Sequence, residues 1–141
     1  MSLRPELREI VDEFADSPRE LRLELLLDYA NSLPPLPERY AGDHDRLERV
    51  HECQTPFFLA VEVEDGRARL FFDAPPEAPT TRGYAGVLAA GLDGATVEEV
   101  LETPPDFYTE MKLAELVSPL RLRGMSAILA AIKRRVALQA S

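Results

Sequence analysis

The chemistry available to this sequence centres on one thiol. Cys53 is the single cysteine of the chain and lies in the stretch Val50-His51-Glu52-Cys53-Gln54-Thr55. A deprotonated cysteine is the attacking species in thiol exchange. His51 would share a face with Cys53 if the stretch were extended, which makes a Cys-His hydrolase conceivable. Such an enzyme also needs an oxyanion hole and a substrate cleft, and no pattern here supplies either. His44, flanked by Asp43 and Asp45, could join His51 and Cys53 around a metal, but aspartates on a polar loop are more often simply solvated. By composition alone, a free cysteine reads as a small buried hydrophobe.

Basic residues give a second signal. From Leu116 to Ser141 the charged residues are Arg121, Arg123, Lys133, Arg134 and Arg135, with no acid among them. The last three suit the C-terminal end of a helix. Arg121 and Arg123 fall in its first turn, where positive charge opposes the helix dipole, so they are either solvated or placed to meet an anion.

The elements that must position these residues can be read from the pattern. A length of 141 residues fits a single domain over 1–141, large enough to bury a core. Leu7, Ile10, Val11 and Phe14 mark one face of a helix. Ser17-Pro18-Arg19-Glu20 reads as a capping box opening a second helix to about Leu33, with Leu21, Leu25, Leu26, Tyr29 and Ala30 on its buried stripe. Pro34 and Pro35 end it, and a charged, proline-rich loop runs to Arg49. Leu47–Val50, Phe57–Val63 and Arg67–Asp73 read as strands, the last two joined by an Asp65-Gly66 hairpin. Thr80 or Thr81 is expected to cap a glycine-rich helix that needs close packing to compensate for Gly83, Gly86 and Gly91. Thr96-Val97-Glu98-Glu99 is another capping box, and Phe107, Met111 and Ala114 predict a further helix. Ser118-Pro119 opens the last one, with Leu122, Met125, Ile128, Leu129, Ile132 and Val136 facing inward. The expected class is α+β, a small three-stranded antiparallel sheet packed with helices on one face.

Composition narrows the function. A net charge of −9 disfavours nucleic acid as a partner. One cysteine excludes an internal disulfide, fits a reducing compartment, and excludes a cysteine-built zinc or iron–sulfur site within one chain. No leader or membrane span is visible, so the default location is the cytoplasm.

The Val50-x-x-Cys53-Gln54-Thr55 segment followed by an apolar strand resembles the Val-x-Gly-Cys-Gln-Ser segment of the SufE family. The resemblance extends to Arg82-Gly83, where the family has Lys-Gly, and to Glu110-Met111 through Leu116. It also includes Ser118-Pro119-Leu120-Arg121-Leu122-Arg123-Gly124, which is similar to the family's Leu-Thr-Pro-x-Arg-x-x-Gly. Glu52, Thr55 and Pro56 depart from it around the cysteine. The resemblance implies a fold like that of the IscU scaffold and a sulfurtransferase-type accessory protein rather than a stand-alone enzyme. Cys53 would take persulfide sulfur from a SufS-type cysteine desulfurase, stimulate it, and pass the sulfur to an iron–sulfur assembly scaffold. Arg121, on the family's arginine, would support the thiolate or persulfide. His51, Glu52, Gln54, Arg82 and Arg123 are candidates for partner contact. No cofactor is expected on this chain; pyridoxal phosphate belongs to the desulfurase. The shelter for the sulfur would come from Val50, Phe57, Phe58, Leu122 and Met125, and the proline-rich loop would leave little pairing to break when Cys53 moves out. The alternative is a non-catalytic protein-binding module in which Cys53 is structural.

Overall fold

A computed structural model describes residues 3–53 and 55–140. In chain order the elements are α1 (Pro5–Asp16), α2 (Arg19–Asn31), β1 (Glu48–Arg49), β2 (Phe58–Glu64), β3 (Arg67–Asp73), α3 (Pro79–Leu92), α4 (Val97–Glu102) and α5 (Pro119–Ala140). The strands form one antiparallel sheet in the order β1-β2-β3, which bears out the α+β reading. The β2–β3 turn has positive φ at both central residues, 53° at Asp65 and 76° at Gly66, the geometry that an Asp-Gly hairpin favours. No helix among the described residues is long and apolar enough to cross a membrane.

Strand alternation divides the sheet's side chains. Leu59, Val61, Ala68, Leu70 and Phe72 join the main core with the helices. Ala60, Phe58 and Phe71 belong to the opposite face, where Tyr40, Leu47 and Leu36 of the proline-rich loop cover them. Polar contacts pin that loop. Arg39 pairs with Glu62 at 2.8 Å, the Tyr40 hydroxyl donates to Glu62 at 2.6 Å, and His44 meets Asp73 at 2.7 Å while stacking on Phe58. The loop contributes little strand pairing, as expected, yet its side chains hold it to the sheet.

The helical half departs from expectation in three places. Ser17 does not cap α2: its hydroxyl donates backward to the Glu13 carbonyl, and its N–H to Phe14. Only Ser17 and Pro18 separate the two helices, so the hydroxyl closes the first helix rather than opening the second. The guanidinium of Arg22 completes that closure by donating to the Phe14 carbonyl and pairing with Glu115. This rotates the buried stripe of α2, leaving Arg22 6% exposed and Leu21 50% exposed. Thr80 and Thr81 likewise cap nothing. α3 starts on Pro79 after Ala78, and Thr81 is buried. The helix expected through Phe107, Met111 and Ala114 is two single 3₁₀ turns, Phe107–Thr109 and Leu113–Glu115, separated by Lys112 at φ 62°. Phe107, Met111 and Leu113 are the buried anchors, and Ala114 is exposed, so the spacing is not that of one helical face.

Other signals hold. Thr96 and Glu99 form the reciprocal capping box, and Ser118 accepts from the Arg121 N–H at 3.3 Å. Met125, Ile128, Leu129, Ile132 and Val136 are buried, with Leu122 half-buried. The end of α5 is tied to the sheet. Arg134 and Arg135 both pair with Glu48, and the Gln139 side-chain amide donates to the Val61 carbonyl and accepts from the Val63 N–H.

Close packing of α3 against α2 answers the glycines. A Cβ at Gly83 would overlap the Leu26 carbonyl oxygen, and one at Gly86 the Tyr29 carbonyl oxygen. Gly86→Ala is therefore expected to lower the unfolding free energy by about 3 kcal/mol in urea titration, since rigid backbone must move to admit the methyl. Unchanged stability would mean that the two helices can part without loss.

Candidate functional site

Cys53 sits in a closed turn between β1 and β2. The Val50 N–H donates to the Phe57 carbonyl at 2.9 Å, and the Cys53 N–H to the Val50 carbonyl at 3.2 Å. The first bond ties Val50 to Phe57, and the second turns the chain back at Cys53. His51, Glu52 and Pro56 are exposed on it, whereas Cys53 turns inward and is 9% exposed. It belongs to the same core cluster as Val50, Phe57 and Met125, three of the residues expected to shelter it. Phe58 is not one of them, because the pleat sends it to the other face beneath His44.

The facing wall is α5. The thiol donates weakly to the Gly124 carbonyl, with S and O 3.8 Å apart. Gly124 faces the turn: a Cβ there would lie 3.4 Å from Sγ, 3.5 Å from the Cys53 Cα and 3.6 Å from the Glu52 carbonyl oxygen, ordinary contact distances. The burial that results pushes the thiol pKa up to about 11, with the Glu52 carboxylate adding to the rise. Both influences favour the protonated thiol. The resting arrangement is thus a sheltered S–H, not a poised nucleophile.

Arg121 stands one turn before Gly124, on the same side of α5, and its side chain is half-buried. Arg123, next to Gly124, is exposed. His51, Glu52, Arg121 and Arg123 are thus carried by the two segments that meet at Cys53. Arg82, half-buried, makes two backbone contacts. It donates to the Ala30 carbonyl at 3.1 Å and to the Ala74 carbonyl at 2.6 Å, fastening the end of α2 to the chain that leaves β3. Gln54 lies outside the described residues. His44 is bound to Asp73, and among the described residues no three His, Cys, Asp or Glu side chains gather as a metal site.

A feature the sequence did not single out is a pair of buried hydroxyls with no hydrogen-bond partner among the described residues. Tyr84 lies in the interior against Phe107, and the other is Thr55, in the Cys53 turn itself. A groove of about 640 Å³ runs elsewhere, between Pro34–Pro37, Phe71 and the end of α3, and none of its lining residues belongs to the 50–57 turn. Among the described residues, Cys53 thus lies sheltered beneath its own turn and away from that groove.

Known proteins share this arrangement of chain. The family model for SufE, described as an Fe–S metabolism associated domain, matches residues 8–136. An uncharacterized SufE-like protein of Mycobacterium tuberculosis is 54% identical over 136 residues, covering 96% of this chain and 94% of that one. An uncharacterized SufE-like protein of Synechocystis is 29% identical over 125 residues, covering 87% and 75%. The solution structure of a hypothetical protein from Thermus thermophilus matches with a TM-score of 0.88 at 45% identity, over 99% of this chain and 98% of that one.

The sheltered thiol has a pH signature. A thiol held above its free value of about 9 stabilises the closed turn in full below that pH, and the contribution is lost as the pH climbs toward 11. Alkylation of Cys53 is expected to reach half of its maximal rate near pH 11, about two pH units above the midpoint of a free peptide thiol. A native profile with its midpoint near pH 9 would show the thiol open to water.

Proposed function

The chain belongs to the SufE family, whose domain is associated with Fe–S metabolism, and on that premise we propose that Cys53 accepts sulfur from a cysteine desulfurase and carries it to iron–sulfur cluster assembly. The observation that carries the reading is the placement of the chain's single thiol. Cys53 lies at the inward side of a short, closed turn with His51 and Glu52 exposed on its outer side. A carrier needs that combination, shelter between partners and a short path out.

The transfer is an exchange at sulfur. The Cys53 thiolate attacks the outer sulfur of the desulfurase's cysteine persulfide. A new S–S bond forms to Cys53, the old one breaks, and the desulfurase cysteine leaves as its thiolate; no net oxidation occurs. Pyridoxal phosphate acts on the partner, where the persulfide is made. In the closed turn the attacking species is scarce. Moving Cys53 into water returns its pKa from about 11 toward 9 and raises the thiolate fraction at neutral pH about a hundredfold. A desulfurase that binds the open turn better than the closed one both exposes and ionises the thiol. His51, Glu52, Gln54 and Arg123 would then meet the partner. Arg121, a turn from Gly124, is placed on α5 to attract the thiolate or persulfide as the turn opens.

The competing reading, a binding module with a structural cysteine, draws on the burial of Cys53 and its S–H contact to Gly124. Intact mass separates the two. After incubation with a SufS-type desulfurase and cysteine, the protein is expected to gain the mass of one sulfur atom, removable by dithiothreitol, and Cys53→Ser to gain none. An equal gain in the serine variant would refute Cys53 as the acceptor. Arg121→Ala is expected to slow sulfur acceptance several-fold while leaving the circular dichroism spectrum unchanged. Native transfer rates in that variant would reduce Arg121 to a surface charge.

A further inference from the structure

We propose that the closed Cys53 turn is shaped for the persulfide rather than for the bare thiol: the missing side chain of Gly124 is room for the outer sulfur atom, and the unpartnered hydroxyl of Thr55 is the donor that meets its charge. This deepens the carrier reading and rests on it.

Gly124 differs from three other helical glycines of the fold. At Gly83, Gly86 and Gly91 a Cβ would overlap atoms of Leu26, Tyr29 and Leu7, so crowding alone requires glycine. At Gly124 the nearest atoms to a Cβ lie at 3.4, 3.5 and 3.6 Å, ordinary contact distances, and the residue has no left-handed backbone angle. Alanine would fit the thiol state and suit the helix better. What glycine preserves is a methyl-sized space directly against Sγ. A sulfur bonded to Sγ stands only about 2 Å from it, so in that direction it would occupy this space and overlap any methyl group placed there.

Thr55 supplies the polar half. Its hydroxyl is buried and bonds to nothing among the described residues. It lies two residues from Cys53 in the turn closed by the Val50–Phe57 bond. A persulfide is more acidic than a thiol, so its outer sulfur is anionic at neutral pH, and a buried anion needs a hydrogen-bond donor. In the thiol state the S–H is the donor and the Gly124 carbonyl the acceptor. Persulfidation removes that hydrogen and adds an acceptor, which is the change that gives a free hydroxyl its partner.

The test compares native protein with Gly124→Ala, Thr55→Val and Thr55→Ser. Each is loaded in parallel with inorganic polysulfide, which needs no protein partner, and with a desulfurase plus cysteine. Two rates are read: alkylation of unmodified Cys53, and release of the outer sulfur as hydrogen sulfide by dithiothreitol, which is oxidised to its cyclic disulfide. Gly124→Ala is expected to keep native thermal stability and native alkylation of the thiol, and to release sulfide several-fold faster. Thr55→Val is expected to release sulfide faster as well, with Thr55→Ser restoring the native rate. Equal sulfide release from native and Gly124→Ala protein would overturn the assignment of the space, as would slower alkylation or unfolding of that variant in the thiol state. Thr55→Val matching native would remove the hydroxyl from the site, and failure of polysulfide to load the native protein would overturn the whole proposal. Loading by polysulfide but not by the desulfurase would instead count against the carrier reading, with the pocket still measured.

Discussion

The contact of α5 with the sheet and its connecting turn is the interaction on which the rest of the molecule depends. One end of the helix meets Cys53 through Gly124, and the other holds the sheet through Arg134, Arg135 and Gln139. Between them, Ile128, Leu129, Ile132 and Val136 are buried in the same core as Leu59 and Val61. β1 contributes only two residues of pairing, so it could not by itself hold the chain that leads into the thiol turn. The carboxylate of Glu48 on β1, gripped by two arginines of α5, supplies the missing attachment. The shelter around Cys53 is therefore made between two elements and not within one.

That construction sets the chemistry. A thiol in a turn can be hidden by a helix without rearranging the turn's own anchors, and it can be released by moving the turn without unfolding the helix. Burial keeps the sulfur protonated and quiet; exposure makes it reactive. The contacts that bury the sulfur are those with Gly124 on α5, in the core that also holds Val50 and Phe57.

Local signals in the sequence were legible where one short segment determines its own shape. Asp65-Gly66 specifies its turn, Thr96 and Glu99 cap each other, and the spacing from Met125 to Val136 fixes the inner face of α5. Segments whose shape depends on distant partners were less legible. Ser17 serves the helix behind it because Arg22 and Glu115 complete that helix end from elsewhere, a long-range arrangement that a capping pattern does not encode. The stretch from Phe107 to Leu113 follows the positions of its buried anchors and not a helical period. At the candidate site, the thiol and Arg121 could be picked out from residue type and resemblance. The approach of Gly124 to Cys53, across 71 residues of chain, and the unpartnered state of Thr55 exist only once the fold is formed.

The side-chain amide of Gln139 has a consequence beyond anchoring the helix. Past the short β1, the outer edge of β2 would present the Val61 carbonyl and the Val63 N–H as an open template for a strand from another molecule. Gln139 fills both positions with a single amide group, imitating one peptide unit of a neighbouring strand. The place where a second copy could zip onto the sheet is already taken by the chain's own helix.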